Sequence, residues 1–220
     1  MKKRINEILS YVRPCKTFAD IGCDHGKIAV AVLKSGICEK VIASDVSSKS
    51  LQKARDLADN ELIDGLITVV SDGFDEISEH VDEAVIAGMG GEEIIKILSK
   101  RADLPARLIL QPMKSADKLR RYLVETIKTP IEKDHMFFDG EKYYDLIVSD
   151  TSYPFFAYSE EDFIWGRDND GSSEDFKRYL RSLTETYRLA LPFVSDEKAE
   201  RELKDKLFSA ENILKRYENQ

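Results

Sequence analysis

The 220-residue chain has no apolar run approaching the roughly 18 residues that span a bilayer, and no long apolar stretch follows Met1-Lys2-Lys3-Arg4. A membrane span and a secretory leader are therefore excluded as expectations, and a cytoplasmic protein is expected. Cysteine is scarce: Cys15, Cys23 and Cys38 are odd in number and form neither a C-x-x-C pair nor a metal-ligand spacing, so reduced thiols and no metal centre are expected. Positive charge is also short. With 33 Lys and Arg against 41 Asp and Glu, the net charge of -8 excludes a surface coated throughout for polyanions. No internal repeat or low-complexity tract is present, and a composition 42% hydrophobic and 34% charged excludes a disordered chain. Neither G-x-G-x-x-G nor G-x-x-x-x-G-K-[ST] occurs, which argues against a dinucleotide fingerprint and a phosphate loop.

What is present is a regular alternation. Residues 2–12 read as an amphipathic helix carrying Ile5, Ile8, Leu9 and Val12 on one stripe and stopped by Pro14. Apolar runs follow at Phe18–Ile21, Lys40–Ser44, Ile67–Val70, Ala84–Ala87 and Arg107–Gln111, with helical patterns expected between them, so these five strands should be parallel. Leu119–Lys128 reads as helical. Ile131–Phe138 and Lys142–Ser149 then meet at Asp139-Gly140 as an antiparallel hairpin. The expected fold is α/β: a Rossmann-like, seven-stranded, mostly parallel sheet ending in an antiparallel hairpin. Residues 151–171 read as loop. Beyond them, Phe176, Tyr179, Leu180, Leu183 and Tyr187, then Leu203, Leu207, Ala210, Leu214 and Tyr217, predict a C-terminal helical hairpin or short coiled coil, with Ser172 as its cap. Two domains are expected, 1–152 and 153–220.

Open α/β sheets bind ligands beyond the carboxyl ends of their strands, and the candidate residues fall there. The first strand ends in Asp20-Ile21-Gly22-Cys23-Asp24-His25-Gly26, where Gly22 and Gly26 allow close backbone approach and two carboxylates would repel a pyrophosphate. The second ends at Asp45, placed to accept both hydroxyls of a ribose, and the third at Asp72-Gly73, where the acid can receive an adenine amino group. The fourth ends in Gly88-Met89-Gly90-Gly91. Several acids and glycines with almost no cation nearby suit a ligand that offers hydroxyls, amines and a sulfonium but no phosphate: S-adenosylmethionine.

Four segments in this order, Ala19-Asp20-Ile21-Gly22-x-Asp24-His25, Ile86-Ala87-Gly88-Met89-Gly90-Gly91, Leu108-Ile109-Leu110-Gln111-Pro112 and Asp139-Gly140-x-Lys142-x-Tyr144, resemble the bacterial tRNA (adenine-22-N1)-methyltransferase family. The resemblance covers residues 1–150 by motif and the remainder by architecture. It implies methylation of N1 of an adenine in the D arm of tRNA by a monomer or weak dimer. The family continues Gln-Pro with Asn where this chain has Met113, and carries Gly-Pro where this chain has Gly166-Arg167.

Under this reading Asp24 is the catalytic carboxylate or, alternatively, a helix N-cap, and His25 contacts the target base or is local structure. Gln111 is expected on an adenine edge. Lys114, Lys118, Arg120 and Arg121 are expected either on tRNA phosphates or as a solvated helix face; with them, residues 95–135 carry ten basic side chains against five acidic ones. The alternatives are a methyltransferase of a small molecule or protein, and a non-catalytic cofactor- or RNA-binding relative.

Overall fold

The computed structural model describes residues 3–218. Seven strands, β1 (Cys15–Ile21), β2 (Cys38–Asp45), β3 (Leu66–Val70), β4 (Glu83–Met89), β5 (Arg107–Pro112), β6 (Ile131–Phe138) and β7 (Tyr143–Asp150), form one sheet of order β3-β2-β1-β4-β5-β7-β6. The pairings among β1 to β5 are parallel, and β7 runs antiparallel between β5 and β6. Connection length explains the difference. Helices α2 (Lys27–Ser35), α3 (Ser48–Asn60) and α4 (Gly91–Ser99) fill crossovers, whereas β6 and β7 are joined through a tight turn in which Gly140 takes φ +105°.

Alternate residues of each strand enter opposite cores, as the two-residue period requires. Ala19, Ile21, Ile42, Ile86, Leu108 and Leu110 face α4 and the segment after β5, packing on Ile94, Leu98, Leu119 and Leu123. Phe18, Val41, Ala43, Val85 and Ile109 face the other side, against Ile8 of α1 (Lys3–Leu9), Ala29 and Val32 of α2, and Leu51 and Ala54 of α3.

Several local expectations need correction. Residue 2, the expected start of the first helix, lies outside the described residues, and α1 ends at Leu9. The β3–β4 link, residues 71–82, is a series of turns rather than a helix, and it buries Phe74, Ile77 and Val81 directly. The helix after β5 is α5 (Ala116–Arg121) continuing into a π-helical turn over Tyr122–Thr126. Within the expected loop 151–171, α6 (Glu160–Trp165) forms because Ser159 and Asp162 make a reciprocal capping box and Phe163 and Trp165 are buried.

The C-terminal hairpin consists of α7 (Glu174–Ala190), a 3-10 turn at Leu191–Phe193 and α8 (Glu197–Glu218). Its cap is Ser173, whose side chain accepts from Phe176 N, rather than Ser172. Phe176, Leu180, Ala210 and Ile213 pack with Trp165 of α6 and Met136 of β6, so the hairpin rests on the antiparallel edge of the sheet. The three thiols are free, and Cys15 and Cys38, paired across β1 and β2, place their Sγ atoms 2.8 Å apart at the end of the sheet away from the glycine turns.

Candidate active site

The chain runs from β1 outward to β2 and β3, then returns to place β4 on the other side of β1. The carboxyl ends of β1 and β4 therefore diverge, and a crevice opens between their following turns. The β1 turn is held from below: Gly22 N and Cys23 N both donate to Ser44 O, and Asp24 N donates to Asp45 Oδ2. Gly22 adopts φ +70° and Asp24 φ +51°, so the chain doubles back with its amides beside the crevice.

Met89 divides this crevice into two compartments, lining both, and its Cε lies 1.9 Å from where a Cβ on Gly22 would be. The larger compartment, about 700 Å³, is bounded by Asp45 and Val46 after β2, by Ser71, Asp72 and Gly73 after β3, and by Gly90, Lys96 and Lys114 opposite. The smaller, about 440 Å³, is bounded by Asp20, Gly22, Asp24, His25, Lys27, Gly88 and Arg4.

The carboxylates differ in their surroundings. Asp20 is 2% exposed and accepts from Ala29 N, tying β1 to the first turn of α2; burial pushes its carboxyl up to about 7, against the pull of that N–H and of Arg4. Asp45 accepts from Ser47 N and Asp24 N, one on each oxygen, which fixes its plane and leaves a second lone pair on each. Asp72 is ion-paired with Lys100 through Oδ2 at 2.5 Å, which leaves Oδ1 for the expected adenine contact. Asp24 is the open one, its side chain 76% exposed. It is not an N-cap, because the cap position of α2 belongs to Gly26 and has no side-chain hydrogen bond. His25 Nε2 lies 2.9 Å from Lys53 Nζ, so this nitrogen accepts, and 3.5 Å from Asp24 Oδ1.

Several candidate residues serve the fold. Gly26 lies outside both compartments, and a Cβ there would stand 2.4 Å from Ala54 Cβ; it lets α2 and α3 approach. Gln111 is fully buried: its Oε1 accepts from Arg4 Nε at 2.7 Å and its Nε2 donates to Pro112 O at 3.0 Å, so no adenine edge reaches it. Arg120 is 0% exposed, held by Asp134, Asp145 and the carbonyls of Phe163 and Ile164, and cannot meet a phosphate. Lys118 is paired with Glu92, and Arg121 with Glu160. The ten basic side chains of residues 95–135 thus form no single free face; Lys114, exposed on the rim of the larger compartment, remains available. Met113, 47% exposed, donates its backbone N–H to Met89 O, linking the two walls.

Sequence reasoning missed Arg4, which enters from α1, and Lys53, which reaches His25 from α3. A signal for Arg4 was Gly88: Gly90 and Gly91 suffice for a strand-to-helix turn, and the third glycine, at φ +85°, makes room for something else. A Cβ there would lie 3.1 Å from the Arg4 guanidinium.

Among the described residues, no group of three or more His, Cys, Asp and Glu side chains could hold a metal, and no helix is long and apolar enough to cross a membrane.

Comparison with known proteins bears on the same region. A protein of Mycoplasma pneumoniae, provisionally named a tRNA methyltransferase, is 37% identical over 128 residues, 56% of this chain and 59% of its own length. The Bacillus subtilis tRNA (adenine(22)-N(1))-methyltransferase is 28% identical over 156 residues, 69% of this chain and 65% of its own. The chain thus spans about three fifths of the relatives it matches. Among solved structures, a Streptococcus pneumoniae protein in complex with S-adenosyl-L-methionine superposes with TM-score 0.84 at 25% identity, covering 97% of this chain and 99% of that one. The family described as "Methyltransferase domain" matches residues 1–147, the segment that builds the sheet, the glycine turns and the split crevice, and the chain belongs to that family.

Proposed function

We propose that the protein transfers a methyl group from S-adenosylmethionine to N1 of adenine 22 in the D arm of tRNA. The observation that carries this reading is the split crevice. Its larger half offers a plane-fixed Asp45 for ribose hydroxyls and the apolar Val46 for a purine face, and its smaller half combines acids with one guanidinium and no phosphate loop. The residues present fit the cofactor, since Gly22 and Gly88 leave backbone exposed where a Cβ would close the space. The similarity to the Bacillus subtilis enzyme supports the choice of acceptor.

When bound, the cofactor supplies an electrophilic methyl group on a sulfonium. Adenine N1 already carries an in-plane lone pair, so the chain's task is to align that nitrogen with the S–CH3 bond. Asp24, exposed at the mouth of the smaller compartment, is assigned the role of accepting a proton from the exocyclic amine as the base becomes cationic. His25, held through Nε2 by Lys53, gives that base a ring to lie against. Residues 1–152 form the methyl-transfer domain and 153–220 a helical domain that contacts tRNA in the cytoplasm. Lys114 and Lys96 on the crevice rim are assigned to phosphates.

The neutralisation of Lys118, Arg120 and Arg121 favours a second reading, transfer to a small molecule or protein. One experiment separates them: incubate the protein with labelled S-adenosylmethionine and bulk tRNA, then map the label. Label at adenine 22 supports the proposal, and cofactor binding without transfer to any tRNA overturns it.

A further inference from the structure

We propose that Cys15 and Cys38 form a covalent modification site, oxidised by a hydroperoxide to an intrachain disulfide that staples β1 to β2. The site lies at the end of the sheet away from the crevice and is independent of how the crevice is read.

The backbone brings the two residues together. Cys15 opens β1, Cys38 opens β2, and they are direct partners in the parallel register of these strands. Neighbouring strands lie about 4.8 Å apart, within the roughly 4.4–6.8 Å that separates the Cα atoms of disulfide-linked residues. The side chains converge as well. The two Sγ atoms stand 2.8 Å apart, and Cys38 Sγ also donates to Arg13 O at 3.6 Å. With the Cys38 proton on that carbonyl, the Cys15 S–H donates to Cys38 Sγ.

Access sets the order of events. Cys38 is 5% exposed, whereas Cys15 is half-buried, so a small hydroperoxide meets Cys15 first. The Cys15 thiolate attacks the O–O bond; one oxygen stays on sulfur as a sulfenic acid, and the other leaves as an alcohol or water, taking the thiol proton. Cys38 sulfur then attacks the sulfenic sulfur. The S–S bond forms, the S–O bond breaks, and the hydroxyl departs as water with the Cys38 proton. Two thiols lose two electrons in all, and the peroxide gains them. Burial pushes both thiols up, with Glu83 and Asp82 adding to it, so the first step is slow at neutral pH. The second is intramolecular and fast by comparison, and it protects Cys15 from further oxidation.

Cys23 serves as an internal control. It follows the far end of β1, eight positions of mostly extended chain from Cys15, and at roughly 20 Å or more it reaches neither partner. The crosslink closes a loop across 23 positions that holds the glycine turn and α2, which restricts the unfolded chain.

The test treats the fully reduced chain with hydrogen peroxide, unfolds it in iodoacetamide, and measures intact mass and peptides without reductant. One alkylated thiol, on Cys23, is expected in place of three, together with a linked Cys15 and Cys38 peptide lighter by two hydrogens. Dithiothreitol should restore all three thiols. The oxidised chain should melt roughly 3–10 °C above the reduced one. Cys15→Ser and Cys38→Ser, each compared with its own untreated form, should show no rise. Three unreacted thiols overturn the proposal, as do bonds to Cys23 or between chains. So does sulfinic or sulfonic acid on Cys15 beside an intact Cys38 thiol, which would mean that the neighbour fails to intercept the sulfenic acid. A linked chain that melts no higher than the reduced one overturns the staple.

Discussion

Lys114 and Arg120 lie six positions apart and carry the same charge, yet one stands on the crevice rim and the other has no exposed surface. The two should respond to mutation in opposite ways. Arg120→Met strips Asp134 and Asp145 of their counter-ion and is expected to cost about 3–5 kcal/mol in chemical denaturation. Lys114→Ala should leave stability unchanged and lower the salt dependence of RNA binding by about one unit of slope; an unchanged slope would remove Lys114 from the RNA contact. Asp20 gives a pH signature. Its carboxyl titrates near 7 in the folded chain, against 3.8 as its ordinary value, so the folded state binds the extra proton between those values. Stability from this group is therefore greatest below pH 4 and declines as pH rises toward 7. Affinity for a cationic ligand moves the other way, rising from pH 6 to 8 as Asp20 ionises. Titrations of S-adenosylmethionine across that range should show the rise, and Asp20→Asn should flatten it. The position of Asp20, Gly22 and Asp45 at the crevice could be read from sequence because it is set locally, one turn after one strand. Arg4 and Arg120 could not, since burial and partner choice depend on segments far away in the chain.

Each strand of the sheet was legible because a run of alternating or continuous apolar residues has few alternatives. Short elements were not. Helix α6 has six residues, too few for a period to show, and its existence rests on a capping box and two buried aromatics. The turns of residues 71–82 replace a helix because Phe74, Ile77 and Val81 cover the sheet without one. Between elements, clearance decides. Helices α2 and α3 meet at Gly26, which also sits at φ +65°. Gly26→Ala adds both a collision with Ala54 and backbone strain, and a loss of about 2–4 kcal/mol is expected in denaturant melts. A fall below about 1 kcal/mol would mean that the two helices separate freely.

For the molecule as a whole, the C-terminal helices are bound to the sheet by more than apolar contact. Tyr158 Oη and Arg167 N donate to Asp134, and the carbonyls of Phe163 and Ile164 accept from Arg120, so residues beyond 152 complete a charge network that begins in α5 and β6. Cutting the chain after residue 152 would leave Arg120 and Asp134 short of partners and uncover Met136. The fragment is expected to melt on the order of 10 °C or more below the full chain, as followed by circular dichroism; equal melting would mean that the network contributes nothing across the boundary.

The hydrogen bond between Arg4 and Gln111 joins positions 107 apart in sequence. During synthesis the glycine turn of β1 and its neighbour β2 leave the ribosome early, but the guanidinium has no seat until β5 has followed them. The seating of this guanidinium at the crevice therefore arrives as a late, long-range closure, after most of the parallel sheet exists.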